Sequence, residues 1–327
     1  MTGTSVDPKS RKKIIIIGAG SIGRRHATNL ATLGTDVSVF DVNQTLLKTI
    51  CADNNWSPVF DLDLALDQNR FDAAIICIPN HLHVPYAQKA VDAGLHVFIE
   101  KPLSHNLQGV NELLGDVKKK GLIGMAGFML RYEPGLCYIK KVLDVSQVAF
   151  ARIESASHMP LWHPESDYRK SYSANRSMGG GIILDDVHEI DYACWLFGFP
   201  ESVSCAYGKF SNFDIDVEDT ADIRFIYSER LVTLHADYLQ RRYSRNCKIC
   251  LKDGSTIEWI FGNSVTEYRT NGENTYNYRQ GFDINSLYIE EMREFLHCLN
   301  EHIIPESNLQ NAKKILEIAL EAKGGLS

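Results

Sequence analysis

Hydrophobic and polar positions along residues 12–128 follow two alternating periods. Residues 13–17 read Lys-Ile-Ile-Ile-Ile, an unbroken β-branched run that predicts a parallel strand covered on both faces. A glycine loop and a helix over 21–33 come next, then a strand over 36–41, with Asn43 placed to cap the helix after it. The run over 71–79 (FDAAIICIP) predicts a third buried strand, and the helix behind it extends to Gly94, a residue suited to the position just past a helix end. A strand over 96–100, a helix over 106–120 and a strand over 122–129 close the series. Strands and helices joined by short turns specify a doubly wound parallel sheet with right-handed crossovers.

The pattern changes near Leu130. A helix over 134–143 and a strand over 149–155 precede a long loop rich in Pro, Ser, Tyr and Gly, which leads into an apolar helix over 182–197. From residue 201 to about 269 the chain reads as strands broken at Ser228-Glu229-Arg230, Lys252-Asp253-Gly254-Ser255 and Gly262-Asn263. Two amphipathic helices, 286–299 and 308–322, end it. The expected organisation is an α/β domain over 1–130 and an α+β domain over 131–327, the latter built on a mostly antiparallel sheet. The C-terminal helices are expected to pack back on the first domain. The second sheet needs cover on both faces and the predicted helices are too few, which implies a homodimer or homotetramer.

Gly18-Ala19-Gly20-Ser21-Ile22-Gly23 is a G-x-G-x-x-G standing directly after the isoleucine run and opening a helix, the context that identifies a Rossmann domain. Its glycines permit a tight turn and let the backbone approach a pyrophosphate, which the helix N-terminus attracts through its unpaired N–H groups. Gly18, Gly20, Ser21, Ile22 and Gly23 are therefore candidate cofactor contacts. Asp41, at the end of the second strand, is placed to accept hydrogen bonds from ribose hydroxyls and to repel a 2′-phosphate, which favours NAD over NADP. Arg24 and Arg25 read first as solvated helix residues; a phosphate contact from them would admit NADP.

A net charge of −7 argues against a nucleic-acid groove or a membrane-surface footprint, and 44% hydrophobic residues supply a real core. The polar start of the chain lacks the apolar stretch of a signal peptide, and no apolar run approaches the about 18–20 residues that cross a bilayer, so a cytoplasmic location is expected. The eight cysteines are scattered. Cys247 and Cys250 form a C-x-x-C inside a strand-like stretch with no second ligand pair nearby, and they read as structural thiols. His81, His158 and His163 read as loop or surface histidines, and no metal is expected.

In the helix over 182–197, Asp185, His188 and Asp191 stand at i, i+3 and i+6, an acid–His–acid row in apolar surroundings. Such a row suits a histidine base tuned by a carboxylate, and equally a helix-face hydrogen-bond network or a partner interface.

Cys77-Ile78-Pro79-Asn80-His81-Leu82-His83, followed by Glu100-Lys101-Pro102, resembles the Gfo/Idh/MocA oxidoreductases, the family of glucose–fructose oxidoreductases and inositol dehydrogenases. The likeness continues through Gly127-Phe128 and Arg131-Tyr132-Glu133-Pro134 to Gly179-Gly180-Gly181. It implies that Ile78, Pro79, Asn80 and His83 line the nicotinamide-side rim of a cofactor cleft. Glu100 and Lys101 are then placed beside the nicotinamide, with Lys101 reaching the reacting oxygen, and the bond before Pro102 is cis. Tyr168-Arg169 resembles the family's Trp-Arg pair, which brings Arg169 to the cofactor. Aligned on His188, the family's D-x-x-x-H pattern finds Leu184 in the acid's place and Asp185 one step later, while His188 and Asp191 match.

The resemblance implies hydride transfer between a nicotinamide and a secondary hydroxyl or keto group of a sugar, cyclitol or nucleotide sugar. His188 then acts as acid/base, Asp185 tunes it, and Lys101 stabilises charge on oxygen. The loop over 158–177 offers Trp162, His163, Tyr168, Arg169, Tyr172 and Arg176 to a polyhydroxylated ring. Lys101, Arg131, Trp162, Tyr168, Asp185, His188 and Asp191 are the candidate substrate contacts. Arginines here, or Arg241, Arg242 and Arg245, suit a carboxylate or a diphosphate. The run from Trp162 to Ala174 resembles members of bacterial surface-sugar pathways. Two other classes stay open: a glycoside hydrolase or lyase that retains NAD, and a cofactor-binding regulator without catalysis.

Overall fold

Four consecutive isoleucines leave no face of a strand for water, and β1 (Lys13–Ile17) lies mid-sheet with Ile14, Ile15, Ile16 and Ile17 fully buried. The structure, a computed structural model, describes residues 11–68, 70–162 and 164–324; the polar start of the chain through Ser10 and His163 fall outside them. Around β1 are β2 (Asp36–Phe40), β3 (Ser57–Val59), β4 (Ala73–Ile76), β5 (His96–Glu100) and β6 (Gly124–Gly127). All pairings are parallel, in the order β3-β2-β1-β4-β5-β6. The order reverses between β1 and β4, and the crevice outside the carboxyl ends of strands at such a reversal is where open α/β sheets bind ligands. The intervening helices are α1 (Ser21–Thr32), α2 (Gln44–Asn54), α3 (Leu62–Asp67), α4 (His83–Asp92) and α5 (Val110–Lys119). Asn43 caps α2 through Leu46 N, and Gly94 takes φ +81° past the end of α4, as the sequence predicts. Helix α5 starts later than its pattern, because Gly109 stands at φ +71° and Asn106 closes a turn on Gln108 N instead.

This first unit runs through Gly127 and takes up Tyr288–Asn311. From α9 (Ile284–Glu301), Phe295 sets its ring edge-on to Phe98 at 5.7 Å. Beyond it, Ser307 O accepts from Ala126 N on β6.

The second unit comprises Phe128–Leu287 and the chain from Ala312 onward. Its eight strands are β7 (Val148–Ala156), β8 (Ser202–Gly208), β9 (Thr220–Ile226), β10 (Leu231–Asp237), β11 (Ser244–Leu251), β12 (Thr256–Ile260), β13 (Ser264–Arg269) and β14 (Gly272–Asn277). They run β14-β13-β12-β11-β7-β10-β9-β8, antiparallel except for β7 against β10. One face buries Ile153, Ile223, Phe225, Val232, Leu234, Ile249 and Trp259, with α6 (Pro134–Val142), α7 (Ile182–Asp185) and α8 (Val187–Phe197) packed on it. On the other face Arg152, Asp222, Arg224, Ile226, Leu231, Lys248 and Ile260 are exposed. Helix α10 (Leu309–Ala322) begins in the first unit and ends in the second.

The predicted hairpin breaks fall between β9 and β10, β11 and β12, and β12 and β13. Strand β14, exposed at every residue, has no apolar alternation to announce it. The single helix expected over 182–197 is a correction: Asp186 interrupts it, and Glu189 N bonds Asp186 O only three residues back. Successive carboxylates there are drawn to different partners, Asp185 to two tyrosines and Asp186 towards Arg245 at 3.8 Å. No helix among the described residues is long and apolar enough to cross a membrane.

Candidate active site

At the carboxyl end of β1, Gly18 (φ +105°) presses its backbone against Cys77: a Cβ would fall 2.3 Å from that residue's carbonyl oxygen. A Cβ on Gly23 would sit 1.9 Å from Gly18 O, which fixes the loop against α1. Gly20 differs from both, since it is exposed, opens on empty space within 4 Å, and heads α1 without a side-chain cap. The first-turn amides therefore border room for an anionic group, beside exposed Ser21 and half-buried Ile22, and the loop fits a dinucleotide pyrophosphate.

Asp41 follows β2 and ties this loop down. Its Oδ2 accepts from Ala19 N and its Oδ1 from Asn43 N, both at 2.7 Å. Arg24 is exposed, whereas Arg25 lays its guanidinium over the Tyr288 ring at 4.6 Å.

The motifs after β4 and β5 are stitched together by His83. Its Nδ1 lies 2.8 Å from Pro102 O and its Nε2 2.7 Å from Ile78 O. Burial pushes this imidazole below its ordinary value, against the pull of the two carbonyls. The Lys101–Pro102 bond is cis. Pro79 and Asn80 begin the turn into α4, with Asn80 buried, and Lys101 is half-buried at the end of β5. Glu100 turns inward: its Oε1 meets His26 Nε2 at 2.5 Å and its Oε2 accepts from Lys101 N. Glu291 joins them, a ring nitrogen of His26 and a carboxylate oxygen from each of Glu100 and Glu291 lying within 4.8 Å of one another.

In the second unit the acid–His–acid row is dispersed over separate partners. Asp185 accepts from Tyr172 Oη at 3.0 Å and from Tyr238 Oη at 2.9 Å, one hydroxyl on each oxygen. His188, in the first turn of α8, sets its ring edge-on to Phe128 at 6.3 Å. Asp191 takes a two-pronged contact from Arg131. The glycine run makes this packing possible. A Cβ on Gly180 would lie 2.3 Å from Tyr172 O, and one on Gly181 (φ +110°) 2.3 Å from Glu218 Oε1.

The loop residues are also engaged. Trp162 donates to Ser157 Oγ and meets the Tyr238 ring edge-on at 5.1 Å. Tyr168 packs on Phe213, and Arg169 folds back on Asp167 at 2.7 and 2.9 Å. Arg176 grips Asp216, and Arg245 binds Glu189 at 2.8 Å, while Arg241 and Arg242 are exposed. His158 bonds Leu239 O. Cys247 is buried and Cys250 half-buried, and a spacing of three along β11 sends them to opposite faces.

Sequence reasoning overlooked His26, Glu291 and Tyr238. For His26 a signal existed: it shares the buried face of α1 with Gly23, Ala27 and Leu30, where a polar side chain needs a partner.

Residues 12–128 match the model of the Gfo/Idh/MocA oxidoreductase family with an NAD-binding Rossmann fold, and residues 149–257 match a Gfo/Idh/MocA C-terminal domain, together more than half of the sequence. A myo-inositol 2-dehydrogenase of Thermotoga maritima is 28% identical over 57% of this chain and 55% of its own. A 2,7-anhydro-N-acetylneuraminate hydratase of Mediterraneibacter gnavus is 26% identical over 65% and 53%. The chain thus spans about half the length of the curated relatives it matches. Among solved structures, a UDP-N-acetylglucosamine 3-dehydrogenase of Acidithiobacillus ferrooxidans shares the fold with a TM-score of 0.81 at 21% identity, covering 96% of this chain and 97% of that one.

Proposed function

The chain belongs to the Gfo/Idh/MocA family of oxidoreductases, and from that premise we propose that it oxidises, with NAD, a secondary hydroxyl of a sugar, cyclitol or nucleotide sugar. The observation that carries this reading is the meeting of three motifs at one edge of the first sheet. The open glycine loop follows β1, the Ile78–His83 stretch follows β4, and Lys101 follows β5. When bound, NAD supplies the hydride acceptor. Gly18, Gly20, Ser21, Ile22 and Gly23 would hold its pyrophosphate, Asp41 its ribose, and Ile78, Pro79 and Asn80 its nicotinamide side, while His83, with its ring nitrogens on Ile78 O and Pro102 O, would position that stretch. Glu100, buried and bonded to Lys101 N, acts by fixing the backbone from which Lys101 projects. Lys101 stabilises negative charge on the substrate oxygen, and His188 takes the hydroxyl proton. Asp185, Tyr168, Trp162 and Arg169 are the further residues we assign to the second unit's part in binding. Arg131 and Asp191 support it through their mutual pair.

We read residues 131–327 as the substrate and assembly domain. The open face of its sheet carries exposed Ile226, Leu231 and Ile260 among interspersed charges, which supports a homodimer or homotetramer. A strictly monomeric species by light scattering across micromolar concentrations would remove that claim.

The name of the Mediterraneibacter relative favours a second reading, in which NAD is retained and the net reaction is addition or elimination of water. One screen separates the two. Purified protein is offered sugars, cyclitols, anhydrosugars and nucleotide sugars while NADH is followed by absorbance and products by mass spectrometry. Stoichiometric NADH supports the dehydrogenase; product without NADH supports the retained cofactor.

A further inference from the structure

We propose that Tyr172 and Tyr238 are positioning residues of the active centre, holding the Asp185 carboxylate in a single orientation and coupling the loop over 164–178 to it. This rests on the dehydrogenase reading above. The two phenols come from unrelated parts of the second unit: Tyr172 opens a short 3-10 turn, Tyr172–Ala174, and Tyr238 follows the last residue of β10. They reach Asp185 from α7 with one hydroxyl per oxygen, at 3.0 and 2.9 Å. A carboxylate held at both oxygens cannot turn about its Cβ–Cγ bond without breaking a hydrogen bond, and burial raises the cost of leaving either group unpaired.

The two tyrosines differ in kind. Tyr238 is fully buried, and its phenol is pushed well above the ordinary value by burial and then by Asp185, so it remains a neutral donor. It is the fixed pin, with Trp162 packed edge-on against its ring. Tyr172 is half-buried and belongs to a loop tied internally by Asn175, whose Nδ2 donates to Arg169 O and Ser171 O. The absent side chain of Gly180 is what lets the Tyr172 backbone close on the start of α7. A movement of the loop therefore reaches Asp185 through one hydroxyl, while the other keeps the carboxylate in place. Trp162 acts behind Tyr238, a place in the arrangement that its aromatic character alone did not reveal.

The test uses the full chain with Tyr172→Phe, Tyr238→Phe, Asp185→Asn and each Tyr→Phe paired with Asp185→Asn. On a verified substrate, each phenylalanine variant is expected to lower kcat by about tenfold or more with a much smaller change in KM, the mark of lost orientation rather than lost binding. In the Asp185→Asn background the same changes should cost almost nothing. Full additivity, or unchanged kcat in both single variants, would overturn the proposal. An arm that needs no turnover is the ¹³C carboxyl resonance of Asp185, identified by its loss in Asp185→Asn. It should move on removal of either hydroxyl, and a resonance unmoved in both variants would defeat the clamp itself. If the wild type oxidises no sugar, cyclitol or nucleotide sugar, the dehydrogenase reading falls and the resonance alone decides the clamp. Tyr172→Phe, at the less buried position, guards against a folding defect in Tyr238→Phe; melting temperatures are measured on both.

Discussion

Arg131 and Asp191 hold one another through two hydrogen bonds, Nε to Oδ2 at 2.9 Å and Nη2 to Oδ1 at 2.7 Å, with side chains only 8% and 1% exposed. The pair joins the turn after β6 to the middle of α8, and Arg131 also approaches the rings of Phe128 and Trp195. Deleting one partner of a buried pair leaves a charge uncompensated, which typically costs about 3–5 kcal/mol. Asp191→Ala should therefore lose stability on that scale in urea unfolding, whereas replacing both residues with apolar ones should cost less. Wild-type stability in Asp191→Ala would show that the pair contributes nothing.

Lys101→Ala and His188→Ala should each lower kcat by about 10²-fold or more. NAD binding, measured by calorimetry, should persist in both, because the pyrophosphate site proposed above is the loop from Gly18 to Gly23. Near-normal kcat in either variant on a verified substrate would refute its assigned part in the chemistry.

Asp41, which we propose discriminates between cofactors, also braces the glycine loop through Ala19 N. Wild-type protein should bind NAD more tightly than NADP, and Asp41→Ala should weaken NAD more than NADP. Because the substitution also removes that brace, some loss of affinity for both is expected. Tighter NADP binding by the wild type would reverse the cofactor assignment.

His235 lies between Asp237 Oδ2 at 3.2 Å and Asp222 Oδ1 at 2.9 Å, and these carboxylates, Asp237 first, push its imidazole up to about 9. A folded value above the unfolded one of about 6.5 means that the stabilisation is complete below that pH and is lost as pH rises through about 9. The side chain is 37% exposed, so solvent screening keeps the effect modest. His235→Asn should flatten the decline in melting temperature between pH 6.5 and 9 in the same buffers. An identical slope in the variant would assign that decline to other groups.

Much of the first sheet is legible in the sequence, because its signals are local. The isoleucine run, the glycine loop and the Asn43 cap each specify their own structure within a few residues. The second unit is less legible, since its decisive contacts are distant in the chain. Asp185 and His188 look like neighbours on one helix, yet their placement depends on Tyr172, Tyr238 and Phe128, which no spacing rule links to them. Glu100 is similar: its motif marks the position, but only the fold shows the carboxylate turned towards His26. Arg245 advertises charge in sequence, while its partner Glu189 appears only in three dimensions.

The place of β7 also shapes how the molecule assembles. This strand joins the two halves of the eight-stranded sheet, with β10 on one side and β11 on the other. Its contact with β10 spans 82 residues between Ala151 and Thr233. The hairpins from β8 to β10 and from β11 to β14 are local and close at small entropic cost, whereas the seam between them requires a long loop to close first. On the ribosome, β7 emerges well before either neighbour exists, a strand with one apolar face and two unpaired edges. A chaperone that shields extended apolar segments would have its greatest effect in that interval, and truncations ending before β10 should aggregate where the full chain does not.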